Sequence, residues 1–392
     1  MKRIVLLWSF LYVLLGLLCV FPAQHYYLWQ FRILTLEWGY WFILVGLIPF
    51  IFTFNWTKIN KWALGVFFLS SCVILSPLIQ AFFVADEIKS SVHPFFKKKN
   101  FKGPFQLLTL FSGYSFQKKA EVRASPYKTT DRTELRLDYY YKGVERKKPC
   151  VLVVHGGGWD SGDARQLQDL NYYLSETGYA VAALNYKLAP EYTYPSPVED
   201  VRDALRYLSK NADRLGIDTN SYALLGRSAG GQIALMAAYT HVHPGIKAVI
   251  SFYAPTDMAW GYSLPCNPNV LDSRNLMWKY LGNSPALQPE LYFKSSPVNF
   301  VNKESQPTLI FHGKNDELVD FEHSTRLKEK LDSAKVPNYL VSFPWATHGF
   351  DYCFNGPASQ ITNFAVSSFL YHCFFRQVDM PEKTSEVEFN NP

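Results

Sequence analysis

Gly226-Arg227-Ser228-Ala229-Gly230 sets a serine among small residues, directly behind a β-rich run at 222–225 and ahead of an alanine-rich helical stretch at 229–239. Small neighbours let a chain turn sharply from strand to helix, which lifts the hydroxyl above a sheet and frees the next peptide N–H to meet an oxyanion. A second glycine cluster, His155-Gly156-Gly157-Gly158-Trp159, follows the apolar run at 150–154. Backbone so free of side chains can approach a reacting carbonyl, with the N–H groups of Gly157, Gly158 and Ala229 as oxyanion donors. Neither GxGxxG nor a P-loop pattern occurs here, which disfavours nucleotide binding.

A serine hydroxyl is a poor nucleophile until an imidazole takes its proton, and the imidazole needs a carboxylate to fix its tautomer. Asp316, in His312-Gly313-Lys314-Asn315-Asp316, follows a strand pattern at 308–311, and His348, in Thr347-His348-Gly349-Phe350, follows one at 339–343. Ser228, Asp316 and His348 thus stand at strand ends in the chain order Ser, Asp, His. Glu317 and Asp320 are rivals for the acid. His155 is expected to bond backbone near its glycine loop, and His241, His243 and His323 to be surface or loop residues.

These motifs resemble the α/β-hydrolases of the hormone-sensitive-lipase and bacterial carboxylesterase group. The likeness rests on HGGGW at 155, NYKLAPE at 185–191, YPSPVEDVRDALRYL at 194–208, GRSAGG at 226–231, HGKNDELV at 312–319 and THGF at 347–350, and it spans about 126–375. It implies ester hydrolysis through an acyl-serine, with Ser228 as nucleophile, His348 as base and acid, Asp316 as orienter, and Gly157, Gly158 and Ala229 as oxyanion donors. It also implies structural roles for Pro190, Pro195 and Asp200, and no metal or organic cofactor. Arg227 stands where many relatives carry an acidic residue, and Asp320 where a proline often follows the acid. Trp159, Arg227 and Trp260 are the candidates for substrate contact. Three other readings use the same residues or scaffold: a peptidase or amidase, an acyltransferase, and a non-catalytic ligand-binding protein.

To position these residues, the chain after 125 alternates short β-rich runs (134–141, 150–154, 181–186, 222–225, 248–252, 308–311, 339–343) with helical stretches (165–176, 197–210, 229–239, 323–333, 358–375). Such alternation predicts an α/β fold with a mainly parallel sheet covered by helices. The 257–296 stretch is long enough for a lid, and its aromatics suit either an apolar pocket or lid packing. The catalytic domain is expected over 126–377 and a loose polar tail over 378–392.

The first 85 residues carry only six charged side chains, although the whole chain has 39 basic and 33 acidic residues. Apolar runs at 4–21, 38–54 and 62–85 approach or exceed the roughly 18 to 20 residues that cross a bilayer, and predict three transmembrane helices. A cleaved signal peptide is the alternative for the first run alone. The positive-inside count is nearly balanced between the two orientations; because the first helix often dominates and long domains translocate largely regardless of charge, Lys2 and Arg3 favour a multi-pass protein with its large domain on the extracytoplasmic side. Residues 86–125 show no sustained pattern, mix lysines with aromatics, and read as a linker, either on an anionic membrane surface or as a packing arm.

The positive net charge of +6 comes from these flanks, so a nucleic-acid partner is not expected. The expected partners are the bilayer and an ester substrate, with a lipid or acylated envelope component suggested by location. Six cysteines without zinc spacing predict no metal site and leave the disulfide state of Cys150, Cys266, Cys353 and Cys373 open.

Overall fold

The computed structural model describes residues 2–375 apart from 53–57, 92, 97–102, 115–119, 131–132, 142 and 144–145. Eight strands form one sheet: β1 Glu121–Thr129, β2 Glu134–Tyr141, β3 Lys148–Val154, β4 Ala180–Leu184, β5 Ile217–Arg227, β6 Ile246–Phe252, β7 Thr308–Gly313 and β8 Asn338–Phe343. Their spatial order is β1-β2-β4-β3-β5-β6-β7-β8; β1 and β2 run antiparallel, and every pair from β4 to β8 is parallel. The chain is an α/β-hydrolase fold, as its motifs predict.

Parallel strands buried on both faces need apolar residues at successive positions, and β5 supplies them. Tyr222 and Leu224 join one core cluster, while Ala223 and Leu225 join the cluster on the opposite face. The N-terminal helices are α1 Lys2–Val20, α2 Tyr26–Gly46, α3 Ile48–Phe52 and α4 Lys58–Ser90, with α5 Leu107–Ser112 after them. Around the sheet lie α6 Gln168–Glu176, α7 Ser196–Lys210, α8 Ala212–Leu215, α9 Ala229–Tyr239, α10 Met258–Ser263, α11 Ser273–Leu281, α12 Pro289–Lys294, α13 Glu322–Ser333 and α14 Pro357–Phe375. The 257–296 insertion is therefore helical, folding as α10 to α12 over the strand ends.

Two expectations need correction. The second apolar helix begins at Tyr26, twelve residues before Trp38, and bends at Trp38, whose φ and ψ are −123° and 17°. Arg32 and Glu37 broke the apolar run in sequence, but both are buried against tertiary partners: Arg32 Nη1 donates to Glu317 Oε2 at 2.8 Å, while Trp345 Nε1 and the Ala358 N–H donate to Glu37. The stretch 86–125 is not a featureless linker either. It holds the end of α4, a short 3-10 turn at Pro94–Phe96, α5 and the start of β1. Phe95 and Leu110 are fully buried, and Gln106 N–H donates to Gln360 Oε1 of α14, so its described residues form a packing arm. Phe101, Phe116 and the tail 378–392 lie outside the described residues.

The N-terminal helices pack on one another and on the domain. Ser9 Oγ donates to the Ala63 carbonyl, Trp8 Nε1 to that of Gly46, and Gly39 abuts Ile74 so closely that a Cβ would lie 2.6 Å from its methyl group. The last turns of α4, through Val84, Ala85 and Ile88, continue into the core cluster that covers one face of the sheet.

Candidate active site

All the sequence-predicted chemistry stands at the carboxyl ends of parallel strands, where α/β sheets build their sites. The glycine loop follows β3 and the serine follows the adjacent β5. Ser228 has φ 52° and ψ −122°, a positive-φ conformation that a serine adopts only when its surroundings impose it. The imposing contacts are legible: Ser228 N–H donates to Phe252 O at 2.9 Å, and Gly231 N–H returns to Ser228 O at 2.9 Å. Gly226 lies against the Gly230 carbonyl and Gly230 against the carbonyls of Val154 and His155, so a Cβ at either would collide with backbone. Gly230→Ala is expected to destabilise the fold by about 1–3 kcal/mol, the usual cost of overpacking, read as a lowered Tm.

Ala229 opens α9, so its N–H has no intrahelical acceptor. Gly157 and Gly158 have φ of 116° and 59°, and both line the same cavity as Ser228 and Ala229. The Gly157 carbonyl accepts from the Ser161 N–H at 3.0 Å and Ser161 Oγ at 2.8 Å, which pins the loop. The three proposed oxyanion donors are thereby gathered around one space.

Asp316 follows β7 and His348 follows β8, and their loops are tied together by Lys314 N–H to Phe343 O and Asn315 N–H to Ala346 O. His348 Nδ1 lies 2.7 Å from Asp316 Oδ2. The other carboxylate oxygen accepts the N–H groups of Leu318 and Val319 at 2.9 Å each. His312, which sequence reasoning left inside a motif without a role, is fully buried with Nε2 3.2 Å from the same Asp316 Oδ2 and 2.9 Å from Val319 O. Burial alone would raise the Asp316 carboxyl, but the charges and hydrogen bonds of His348 and His312 outweigh it and hold the group well below the ordinary carboxylate range. The rivals have other work: Glu317 accepts from Arg32 and from Ala23 N–H, and the exposed Asp320 accepts from Glu322 N–H at the start of α13.

Arg227 does not present a free charge to the cavity. Its Nε donates to Asp351, which also accepts the Tyr253 hydroxyl, and the Tyr253 ring lies 4.3 Å from that of His348. Trp159 lines the cavity, but its indole is stacked on Tyr280 at 4.7 Å and donates to Gln232 Oε1, so the ring serves packing. Trp260 is not among the lining residues: it meets His323 edge-on and carries Arg326 over its face. Tyr280 and Tyr292 of the insertion are also buried, so of the two readings left open for them lid packing holds; the insertion lines the cavity with Leu264, Leu271, Leu276 and Met277. No sequence signal marked a further part of the wall, Tyr26 and Trp29 of α2, since both read as residues at the end of an apolar run. Among the described residues there is no group of His, Cys, Asp or Glu that could hold a metal ion.

His155 is buried, stacked on Tyr186 at 4.2 Å, with Nδ1 2.7 Å from Gly156 O, the structural placement its position suggested. His323 is not a surface residue: it is buried in α13, and its Nδ1 accepts Thr256 N–H. Burial lowers the pKa of His155 to about 4 and of His323 to about 3. Both fall below the unfolded value of about 6.5, so below that pH the unfolded chain binds protons that the folded chain refuses. Stability is therefore expected to be complete above about pH 6.5 and to fall toward pH 4, by about 1.4 kcal/mol per pH unit for each histidine, a trend that melts across this range would reveal.

A family model described as BD-FAE matches residues 137–331. The chain is 26% identical over 296 residues to the probable carboxylic ester hydrolase LipM of Mycobacterium tuberculosis, covering 70% of this chain and 65% of that protein. It is 28% identical over 240 residues to esterase LipC of the same organism, covering 57% and 58%. The matches thus span less than two thirds of these relatives' length. Among solved structures, a bacterial heroin esterase superposes with a TM-score of 0.57 at 25% identity, covering 68% of this chain and 88% of that one. An acetyl ester-xyloside bifunctional hydrolase from Caldicellulosiruptor lactoaceticus shares the fold, with a TM-score of 0.52 at 23% identity over 61% and 92% of the two chains. With its eight-stranded sheet and its serine turn after β5, the domain following the N-terminal helices has the α/β-hydrolase fold and is similar to the esterases among these relatives.

Proposed function

We propose that the protein is a carboxylic ester hydrolase that works through an acyl-serine intermediate. The observation that carries the reading is the shared cavity of Ser228 and His348, with His348 Nδ1 held 2.7 Å from a buried Asp316. In this mechanism His348 Nε2 takes the Ser228 proton as Oγ attacks the ester carbonyl. Negative charge builds on the carbonyl oxygen, and the N–H groups of Gly157, Gly158 and Ala229 stabilise it. His348 then returns the proton to the leaving alcohol. Water, deprotonated by the same imidazole, attacks the acyl-serine and releases the acid. Asp316 holds the ring with Nδ1 as donor and stabilises its cation. The test is covalent labelling of the full-length protein by a fluorophosphonate together with turnover of p-nitrophenyl esters from acetyl to palmitoyl. Absence of both in folded protein would favour the ligand-binding reading, and ester formation from an added alcohol in preference to hydrolysis would favour acyl transfer.

We further infer that the N-terminal helices anchor the domain in a membrane. Two helical stretches, Tyr26–Ile51 and Lys61–Ser90, are long and apolar enough to cross, and Val5–Val20 is a shorter apolar helix. Contacts near Leu18, Ala23, Tyr26 and Ile88 reach the domain, whereas Trp8 and Tyr12 meet the other end of α2 at Gly46 and Phe42, so α1 and α4 run toward the domain and α2 away from it. Leu7, Phe10, Phe68, Leu69 and Phe83 are each at least 60% exposed, an apolar surface that suits lipid better than water. Three crossings with Lys2 and Arg3 cytoplasmic leave the domain extracytoplasmic. Resistance to alkaline carbonate extraction tests the anchor, and protease access to oriented vesicles tests the side.

A further inference from the structure

The cavity above Ser228 measures about 450 Å³, within the usual ~300–1,000 Å³ of small-molecule sites. One of its walls is not part of the hydrolase domain: it is the first turn of α2, through Tyr26 and Trp29. That turn is fixed in place by independent contacts. Tyr26 N–H donates to Asn269 O at 3.1 Å, and Ala23 N–H donates to Glu317 Oε2 at 2.8 Å. Arg32 Nη1 donates to the same oxygen at 2.8 Å in an ion pair whose side chains are only 2% and 10% exposed, and its Nε donates to Leu18 O. Glu317 directly follows Asp316, so the loop that carries the carboxylate of the site is clamped to the N-terminal helices. Trp29 and Ile33 also pack with Val270 and Cys353 in a small core of their own.

The helix is two-faced at this point. Positions 26, 29 and 33 face the domain at helical spacing, while Tyr27, Leu28 and Phe31 on the other side are 71%, 44% and 40% exposed. One helix thickness, about 10 Å, therefore separates the cavity from an exposed apolar surface that continues into the helices read as the anchor. Beside this turn, Leu264, Leu271, Leu276 and Leu318 add an aliphatic patch that offers a chain of methylenes many contacts, while polar groups such as Asp160, Ser161 and Gln166 line other parts of the cavity.

We propose that α2 is the specificity wall of the site, and that Tyr26 and Trp29 hold the acyl chain of an ester taken from a lipid phase. This rests on the ester-hydrolase reading above and names its substrate class. A helix that both anchors the protein and closes the pocket ties acyl recognition to membrane residence, because the pocket is incomplete without it.

The experiment uses full-length protein in detergent and in lipid nanodiscs, with p-nitrophenyl acetate and decanoate as probes and the fluorophosphonate labelling rate as a separate readout. Wild type is expected to prefer decanoate. Trp29→Ala and Tyr26→Ala are expected to lower the decanoate-to-acetate ratio of kcat/KM about tenfold or more, since a single methylene in an apolar pocket already discriminates by ~10–200-fold. Trp29→Phe is expected to restore most of the ratio, and Tyr27→Ala, on the outward face, to keep it. If Trp29→Ala does not fold, the half-exposed Tyr26 still carries the test. A ratio unchanged in both alanine variants while labelling proceeds would overturn the proposal and leave the hydrolase reading standing. Absence of labelling in folded wild type would overturn the hydrolase reading itself. Higher turnover of a long-chain ester embedded in the nanodisc than of the same ester in detergent identifies the lipid phase as its source, and the reverse order would overturn that part.

Discussion

Ser228→Ala is expected to abolish fluorophosphonate labelling and to lower kcat for p-nitrophenyl esters by roughly 10⁶-fold, the scale at which removing a triad nucleophile acts elsewhere. The size follows from the geometry. Without Oγ no acyl-enzyme forms, and what remains is the oxyanion donors and the bound pose, worth ~10³–10⁴ over water. KM should change far less than kcat, because the hydroxyl acts on the transition state and adds little to ground-state binding. Folding should be unaffected: the positive φ at Ser228 is imposed by backbone contacts to Phe252 and Gly231 that alanine can also make. A melt matching wild type would separate loss of chemistry from loss of structure. Turnover within tenfold of wild type would remove Ser228 from the mechanism.

The second large effect is expected at Asp316→Asn, a loss of about 10⁴-fold in kcat with KM little changed. Asp316 Oδ2 faces His348 Nδ1 at 2.7 Å and His312 Nε2 at 3.2 Å, so the position calls for an acceptor on that side. An asparagine amide that turned its NH₂ toward His348 would force the proton onto Nε2, where the imidazole must be bare to take the serine proton. If it turned its oxygen there, the NH₂ would face the N–H groups of Leu318 and Val319, donor against donor. Either orientation also removes the negative charge that stabilises the imidazolium.

The same substitution has a signature in stability. The Asp316 carboxyl is held below its unfolded value of about 3.9, so its contribution is present above that pH and is lost as the pH falls through the lower folded value. Asp316→Asn should therefore melt below wild type at pH 7, and the gap should narrow in acid. If the asparagine variant kept its rate while Asp320→Asn or Glu317→Gln lost theirs, the orienting acid would be one of those neighbours.

Much of the site is written in local sequence because it depends on local backbone. Ser228, the glycines on either side of it and the loop at 155–159 each need a particular turn at a strand end, and a turn is set by the few residues that make it. The helix at Ala229–Tyr239 and the strand at Glu134–Tyr141 appear at the predicted bounds for the same reason. Strand and helix alternation carried the fold class, since a run of parallel strands leaves few topologies open.

Other features depend on partners distant in sequence. Arg32 and Glu37 looked like interruptions of an apolar segment until Glu317, Trp345 and Ala358, roughly three hundred residues away, satisfied them inside the fold. β1 lay hidden in a stretch without alternation, because its residues are mostly exposed and its pairing with β2 supplies the order that burial did not. Asp316, Glu317 and Asp320 are equivalent as carboxylates in a loop. Only the arrangement of β7 and β8 gives the first to His348, the second to Arg32 and the third to the start of α13.

By itself, then, the sequence determined the fold, the serine turn after β5, the glycine loop and the placing of Ser228, Asp316 and His348 at strand ends, all consequences of short-range turn geometry and of hydrophobic period. The tertiary structure alone decided which aromatic residues line the cavity. Burial and contact are properties of the assembled surface: they turned Trp260 into packing, stacked Trp159 on Tyr280 at the cavity edge, and brought Tyr26 and Trp29, about two hundred residues before the serine, into the wall of the same cavity.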